Sequence, residues 1–239
     1  MLAVNAVYVA HYSPLVERRA FLETQLAKYN IGCEWFEQEP SSQEIERLYN
    51  PSPSAWQMKI SQIPNQSPEP FRSLNRVDVS LVYKHIKMYE KIVEKNILTC
   101  LVLEDDVIFE EDFVNRFNFN LCDLPKDWDM VFIGSGCNLR IDPLRLKDGK
   151  ISYLKDHPAS KCSDSYIIKK SSAEKILSTV IPFSFPIDFE LNYQMYLHDM
   201  KVYWWEPPLI KQGSESGLFN ITPVCLKCGK RGCQEHEEN

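Results

Sequence analysis

The 239-residue sequence predicts an α/β fold with a largely parallel central sheet, and three observations predict it. Apolar runs of strand length alternate with stretches of helical periodicity, as in successive βαβ units. The chain opens on one such unit. Residues 98–103, Leu-Thr-Cys-Leu-Val-Leu, make a short and nearly continuous apolar run, which fits a strand covered on both faces of a parallel sheet.

Residues 3–10 read as the first strand. Ser13 suits a helix N-cap and Pro14 a first helical turn. The helix runs to about Tyr29, with Leu15, Leu22, Leu26 and Tyr29 on one face, and Asn30 and Gly32 end it. Residues 33–36 supply a second strand. Residues 40–72 then change character: Pro40, Pro51, Pro53, Pro64, Pro68 and Pro70 fall among Ser, Gln and Asn. This reads as a long surface excursion with one short helix near 43–49, tethered by Trp56 and Met58. Helical spacing returns at Asp78, where Val79, Val82, Ile86, Tyr89 and Val93 recur on one face and His85 flanks them. Asn96 closes that helix before the 98–103 strand. Further strands follow at 129–133, closed by Gly134-Ser135-Gly136, and at 165–168. Ser171 or Ser172 caps a helix over 173–180. Pro182 and Pro186 interrupt the chain before Asp188, and a helix over 189–197 leads to a strand at 201–205.

Composition excludes several classes. The chain is 44% hydrophobic and 25% charged, with a formal net charge of -6, so a general nucleic-acid binder is not expected. No stretch is long and apolar enough for a transmembrane segment. The first twelve residues alternate like a strand and lack a basic leader, so the expected location is cytoplasmic, with Cys33, Cys100, Cys122, Cys137 and Cys162 reduced. Among the eight glycines there is neither a P-loop nor a dinucleotide fingerprint, and no serine-hydrolase elbow.

The chemistry concentrates where the 98–103 strand ends. Glu104, Asp105 and Asp106 follow it directly. Ligands of open α/β sheets bind beyond the carboxyl ends of the strands. Three adjacent acids repel one another unless something positive joins them. A divalent metal carrying a phosphorylated ligand answers that need, and hard oxygen donors suit Mg²⁺ or Mn²⁺. A solvated acidic turn is the bland alternative.

In this order along the chain, several blocks resemble glycosyltransferase family 25, which contains lipopolysaccharide glycosyltransferases and collagen galactosyltransferases. They are Val9-Ala10-His11-Tyr12 with Glu17-Arg18-Arg19, Lys84-His85, the strand ending in Glu104-Asp105-Asp106, and Trp128-Asp129 with its strand. They continue with Ser165-Tyr166-Ile167-Ile168, Pro186-Ile187-Asp188, Lys201-Val202-Tyr203, Pro207-Pro208 and Gln212-Gly213-Ser214. His11 stands where many members have Asn, and Lys84 where Ser is usual.

The resemblance implies a GT-A-like nucleotide-sugar-binding fold over residues 1–221. It also implies a UDP-sugar donor, a glycan or protein acceptor, and transfer of a hexose, galactose or glucose, with inversion. Under that reading Asp106 is the first choice for metal ligation and Glu104 the second, while Asp105 faces ribose or a structural partner. Inversion in one displacement needs a base, for which Asp188 is the candidate and Glu190 the reserve; Asp188 also suits a helix cap. Tyr12 could stack on the nucleobase, Arg18 could reach a phosphate, and Gln212 and Ser214 could close over the diphosphate. Trp204 and Trp205 alternate across their strand, so at most one faces the site. A sugar nucleotidyltransferase, or a non-catalytic glycan-binding protein, is the alternative.

Residues 222–239 form a separate tail. Cys225, Cys228, Cys233 and His236 could make a closed structural zinc site, with free thiols or a disulfide as the other readings.

Overall fold

The computed structural model describes residues 1–66, 70–155 and 157–219. Its centre is a seven-stranded sheet of β1 (Ala6–Ala10), β2 (Glu34–Phe36), β3 (Thr99–Glu104), β5 (Met130–Phe132), β6 (Ser152–Leu154), β7 (Ser165–Lys169) and β8 (Val202–Trp205). The spatial order is β2-β1-β3-β7-β5-β8-β6. β1 pairs in parallel with β2 and β3, and β5 with β8; β7 is antiparallel to both β3 and β5, and β6 to β8. Five strands thus run one way and two the other. The expectation of a largely parallel sheet holds, with one reversed strand, β7, at its middle. A separate ribbon pairs β4 (Val107–Phe109) with β9 (Ile210–Gln212).

Alternation along β3 explains why its sequence looked continuously apolar. Cys100 and Val102 enter one core, Leu101 and Leu103 the other, and all four are fully buried. The first core is closed by helices α2 (Ser42–Leu48), α3 (Pro53–Ile60), α4 (Arg76–Glu94), α6 (Lys170–Leu177) and α7 (Ile187–Leu197). The second is closed by α1 (Val16–Lys28) and α5 (Phe113–Cys122) with the β4–β9 ribbon. Trp204 goes to the first core and Trp205 to the second, so the alternation is as read but neither ring serves the site.

Several local expectations are corrected. The first helix starts at Val16 with Leu15 at its cap and no side-chain cap bond, so Ser13 does not cap it. The helix near 170 begins three residues early. Ser172 is inside it and bonds the backbone and carboxylate of Asp129 instead. The proline-rich excursion is not a surface loop. Ser41 and Glu44 form a capping box that starts α2. Pro53 occupies the first turn of α3, where its missing N–H costs nothing. Leu48, Trp56, Ile60 and Ile63 are buried from this stretch, while Met58 is exposed. A second capping box, Asn75 with Asp78, starts α4 two residues before the predicted point. Among the described residues no helix is long and apolar enough to cross a membrane.

The excursion is also tied down by charge. Lys59 on α3 reaches both oxygens of Glu190 on α7 at 3.1 and 3.2 Å, and both side chains are buried. Removing one member strands the other in a low dielectric. Lys59→Met is therefore expected to lose about 3–5 kcal/mol of stability, read by denaturant unfolding. A loss below about 1 kcal/mol would show that water reaches the pair.

Candidate functional site

The strand directions bring one set of ends to a single edge of the sheet. The carboxyl ends of β1, β3, β5 and β8 lie there, and so does the amino end of the reversed β7. β1 delivers His11, β3 delivers Glu104, Asp105 and Asp106, and the segment before β7 delivers Ser163 and Asp164. The Glu104 amide donates to the Asp164 carbonyl at 2.9 Å, which extends the β3–β7 ladder into the site.

Asp105 is a structural partner. One of its oxygens lies 2.7 Å from Nδ1 of His11 and the other accepts from the Arg18 guanidinium at 3.1 Å. Both oxygens are occupied and the side chain is buried, so of the two roles expected for Asp105 the structure supplies the structural one. Arg18 extends toward Asp106 at 3.7 Å and lies over the Phe219 ring.

Asp106 is held differently. Its carbonyl accepts from Gly213 N–H at 2.6 Å, and its Oδ2 accepts from Ser214 N–H at 3.3 Å. The turn after β9 therefore folds over this acid, and Phe219 closes it against Phe21. Oδ1 of Asp106 is buried and has no hydrogen-bond partner among the described residues. An orphaned carboxylate oxygen is costly and calls for a cation or a proton.

Two further acids, Asp164 and Asp188, belong to the same edge. Asp164, unmarked in the sequence reading, is fully buried; Ser165 donates to one oxygen at 2.9 Å and the other, Oδ1, has no partner among the described residues. Gly134 and Gly136 exist to admit it: a Cβ on Gly134 would stand 2.1 Å from Asp164 Oδ2, and one on Gly136 would stand 2.8 Å from Oδ1. The Gly-Ser-Gly turn was legible; its reason was not, because the reason lies 30 residues away, just ahead of a strand running backwards. Gly134→Ala is expected to displace Asp164 and cost about 1–3 kcal/mol, a loss that thermal unfolding would detect.

Asp188 sits at the second helical position of α7, with Pro186 at the cap, so it is not the N-cap. Ser163 Oγ lies 2.8 Å from its Oδ1 and also within hydrogen-bond reach of Glu104. A hydroxyl has one proton to give. The Ser163 hydroxyl can donate to one carboxylate at a time; Asp188 is also bonded by the Ser163 backbone, so Glu104 is the acid left calling for a proton or a cation. Burial pushes the Glu104 carboxyl well above its usual range, and Asp106 and Asp188 push it further. Burial likewise raises Asp164 and Asp188.

These shifts have a definite sign in stability. A carboxyl raised by folding binds more protons folded than unfolded, so stability falls as pH rises above about 4, where unfolded carboxylates ionise. Metal-free protein is thus expected to gain stability on acidification from neutrality toward pH 5. Saturating Mn²⁺ should flatten that slope. An identical slope with and without the ion would deny it a place among these acids.

The residues fit a divalent cation of the magnesium or manganese type. Asp106 and Asp164 offer free oxygens, and Glu104 lies beside them. Among the described residues the carboxylates do not form a closed three-ligand cage. That suits ions which keep water and phosphate oxygens among their ligands.

The other expected residues spread around this centre. Tyr12 is half-buried, with the Lys84 ammonium 5.7 Å from its ring. Ser214 reaches the centre through its backbone. Gln212 instead lines a neighbouring cleft of about 720 Å³ with Ser135, Cys137, Arg140 and Glu215. Glu190 is not free to act as the reserve base: besides Lys59 it accepts from Gln194 and from Ser184 N–H. His85 is a core residue, bonded to Tyr166 at 2.7 Å and lowered by burial to about 3. The zinc reading of Cys225, Cys228, Cys233 and His236 lies outside the described residues.

Comparison with known proteins gives this arrangement a context. Residues 6–191 match the model described as glycosyltransferase family 25 (LPS biosynthesis protein). Procollagen galactosyltransferase 2 of Homo sapiens is 24% identical over 196 residues, covering 73% of this chain and 31% of that protein. Inactive glycosyltransferase 25 family member 3 of Homo sapiens is 31% identical over 72 residues, 29% of this chain and 12% of that one. The chain thus spans less than a third of the length of these relatives. Among solved structures, the inositol-1-phosphate CTP transferase from T. maritima aligns over 92% of this chain and 93% of that chain, at 12% identity and a TM-score of 0.44.

Proposed function

This chain belongs to glycosyltransferase family 25, and from that premise we propose that it moves a hexose, galactose or glucose, from a UDP-sugar to a hydroxyl of a glycan or protein acceptor, with inversion. The observation that carries the reading is the pairing of two carboxylate environments at one sheet edge. Asp106 presents an orphaned oxygen under a closing turn, and Asp188 presents a carboxyl from a helix start, linked through Ser163 to Glu104.

Asp106, with Glu104 and Asp164 beside it, would hold Mn²⁺ or Mg²⁺. When bound, such an ion neutralises charge developing on a departing diphosphate. Arg18, fixed by Asp105, adds positive charge on the same side. Tyr12 borders the β1 end, where a nucleobase would stack. Asp188 takes the proton from the acceptor hydroxyl in one displacement. Its raised carboxyl suits a base that must act near neutrality. Ser163 orients the carboxylate through its hydroxyl. The 213–219 turn, bonded to Asp106 through two backbone N–H groups, excludes water from the diphosphate.

A screen of UDP-hexoses with Mn²⁺ tests the reading, with UDP release followed with and without glycan and procollagen-type peptide acceptors. Acceptor-dependent UDP release is the expected result. Release of pyrophosphate from a sugar phosphate and a nucleoside triphosphate, with no UDP release, would move the chain to nucleotidyl transfer.

A further inference from the structure

Beside the acid cluster two cysteines meet that the sequence reading left reduced and without a role. Cys137 follows Gly134-Ser135-Gly136 beyond β5, and Cys162 directly precedes Ser163 and Asp164. Their sulfurs lie 2.6 Å apart across 25 residues of chain. Cys137 is exposed and Cys162 half-buried. Both hold left-handed backbone, with φ of 55° and 56°, which non-glycine residues adopt rarely. The segments carrying them are in close contact: a Cβ on Gly136 would stand 2.7 Å from Cys162 Cβ. Glu215 completes the group by accepting from Cys137 N–H at 2.8 Å.

Two ligand chemistries could use this cluster, since the two sulfurs and a Glu215 oxygen lie within 4.8 Å of one another. Zinc would hold two thiolates about 3.8 Å apart, given bonds of roughly 2.3 Å at the tetrahedral angle. A disulfide needs about 2.05 Å. The observed separation is too short for a shared zinc and too short for two thiols side by side. The geometry points to Cys137 and Cys162 as an oxidisable pair that closes to a disulfide and pins the Ser163–Asp164 segment against the Gly134–Gly136 turn.

The exchange balances with a low-molecular-weight disulfide such as oxidised glutathione as the oxidant. Cys137, the exposed thiol, loses its proton and attacks the glutathione disulfide, forming a mixed disulfide and releasing one glutathione thiolate. Cys162 loses its proton and displaces the second. One S–S bond breaks, one forms, and the two electrons leave on glutathione. The consequence is positional. Cys162 adjoins Ser163, whose hydroxyl spans Glu104 and Asp188, and Asp164, whose oxygens fill the space above the two glycines. The disulfide fixes both from the side opposite to β3. This inference does not depend on which group the site transfers.

The test uses the full chain, equilibrated with oxidised and reduced glutathione at set ratios, alkylated and mapped by peptide mass spectrometry. The expected result is a peptide pair linked through Cys137 and Cys162 that disappears with dithiothreitol. Reduction should also lower the thermal midpoint on the order of 5–10 °C, as for a loop of this length in a domain of this size. That reduction-sensitive shift should be absent from the Cys137→Ser/Cys162→Ser double variant. Full alkylation of both thiols at every ratio would overturn the proposal. So would one equivalent of zinc retained by the wild type and lost in Cys162→Ser, which would make the cluster a metal site. A link without a thermal shift specific to the pair would overturn the pinning role.

Discussion

Asp106→Asn is expected to lower sugar transfer by roughly 10³-fold or more, because the several kcal/mol of charge stabilisation supplied by a bound divalent ion depend on the carboxylate that holds it. The fold should survive. Asparagine keeps an oxygen to accept from Ser214 N–H, and the Gly213 bond goes to the backbone carbonyl, which the substitution leaves in place. The decisive readout is Mn²⁺ affinity, measured by calorimetry on the protein without donor. It should weaken together with the rate. Near-normal transfer in this variant, or full activity of the wild type in excess chelator, would remove the metal from the reading.

Asp188→Asn separates base from scaffold. Loss of a general base lowers turnover by about 10²–10⁴-fold. Donor and Mn²⁺ binding should stay nearly unchanged, because the proposed reading puts the diphosphate on the Asp106 side. The structure sharpens this test. Asp188 is not the helix cap, so the variant has no cap to weaken, and Ser163 can donate to an asparagine oxygen as readily as to the carboxylate. A normal rate in this variant would send the assignment elsewhere, and Glu190 is a poor destination, being locked to Lys59.

The chain's own alphabet made some of this legible. The apolar run before Glu104 pointed to a buried strand with acids at its end, because a short apolar segment running straight into charge has few other uses. Helix α4 was readable from its three-four spacing. The opening βαβ unit was equally plain. What stayed hidden depended on distance. Asp164 precedes its strand rather than following it, so a search for acids at strand ends passes over it when the strand runs backwards. Helix α3 was masked by Pro53, which breaks a helix in its interior but begins one at its first turn. Ser163 carried no signal at all; a single hydroxyl gains meaning only when two carboxylates from other elements arrive on either side of it.

The reversed strand β7 has a further consequence, in the rate at which amide hydrogens exchange with solvent. β7 lies between β3 and β5, with neighbours hydrogen-bonded on both sides and both faces covered. Its amides should be among the last to exchange, since releasing them requires most of the sheet to open. The Asp164 wall of the site therefore rides on the slowest-opening part of the molecule. The wall opposite belongs to the β4–β9 ribbon, three residue pairs long, which meets the end of β5 through the Leu209 N–H to Ile133 carbonyl bond and the Gly134–Ile210 bridge. Exchange there should proceed by small local openings, well below the free energy of global unfolding. One side of the site keeps time with the whole fold and the other with a short ribbon, so under the proposed function donor would be admitted and nucleotide released by opening the turn after β9 while the acids across from it stay where they are.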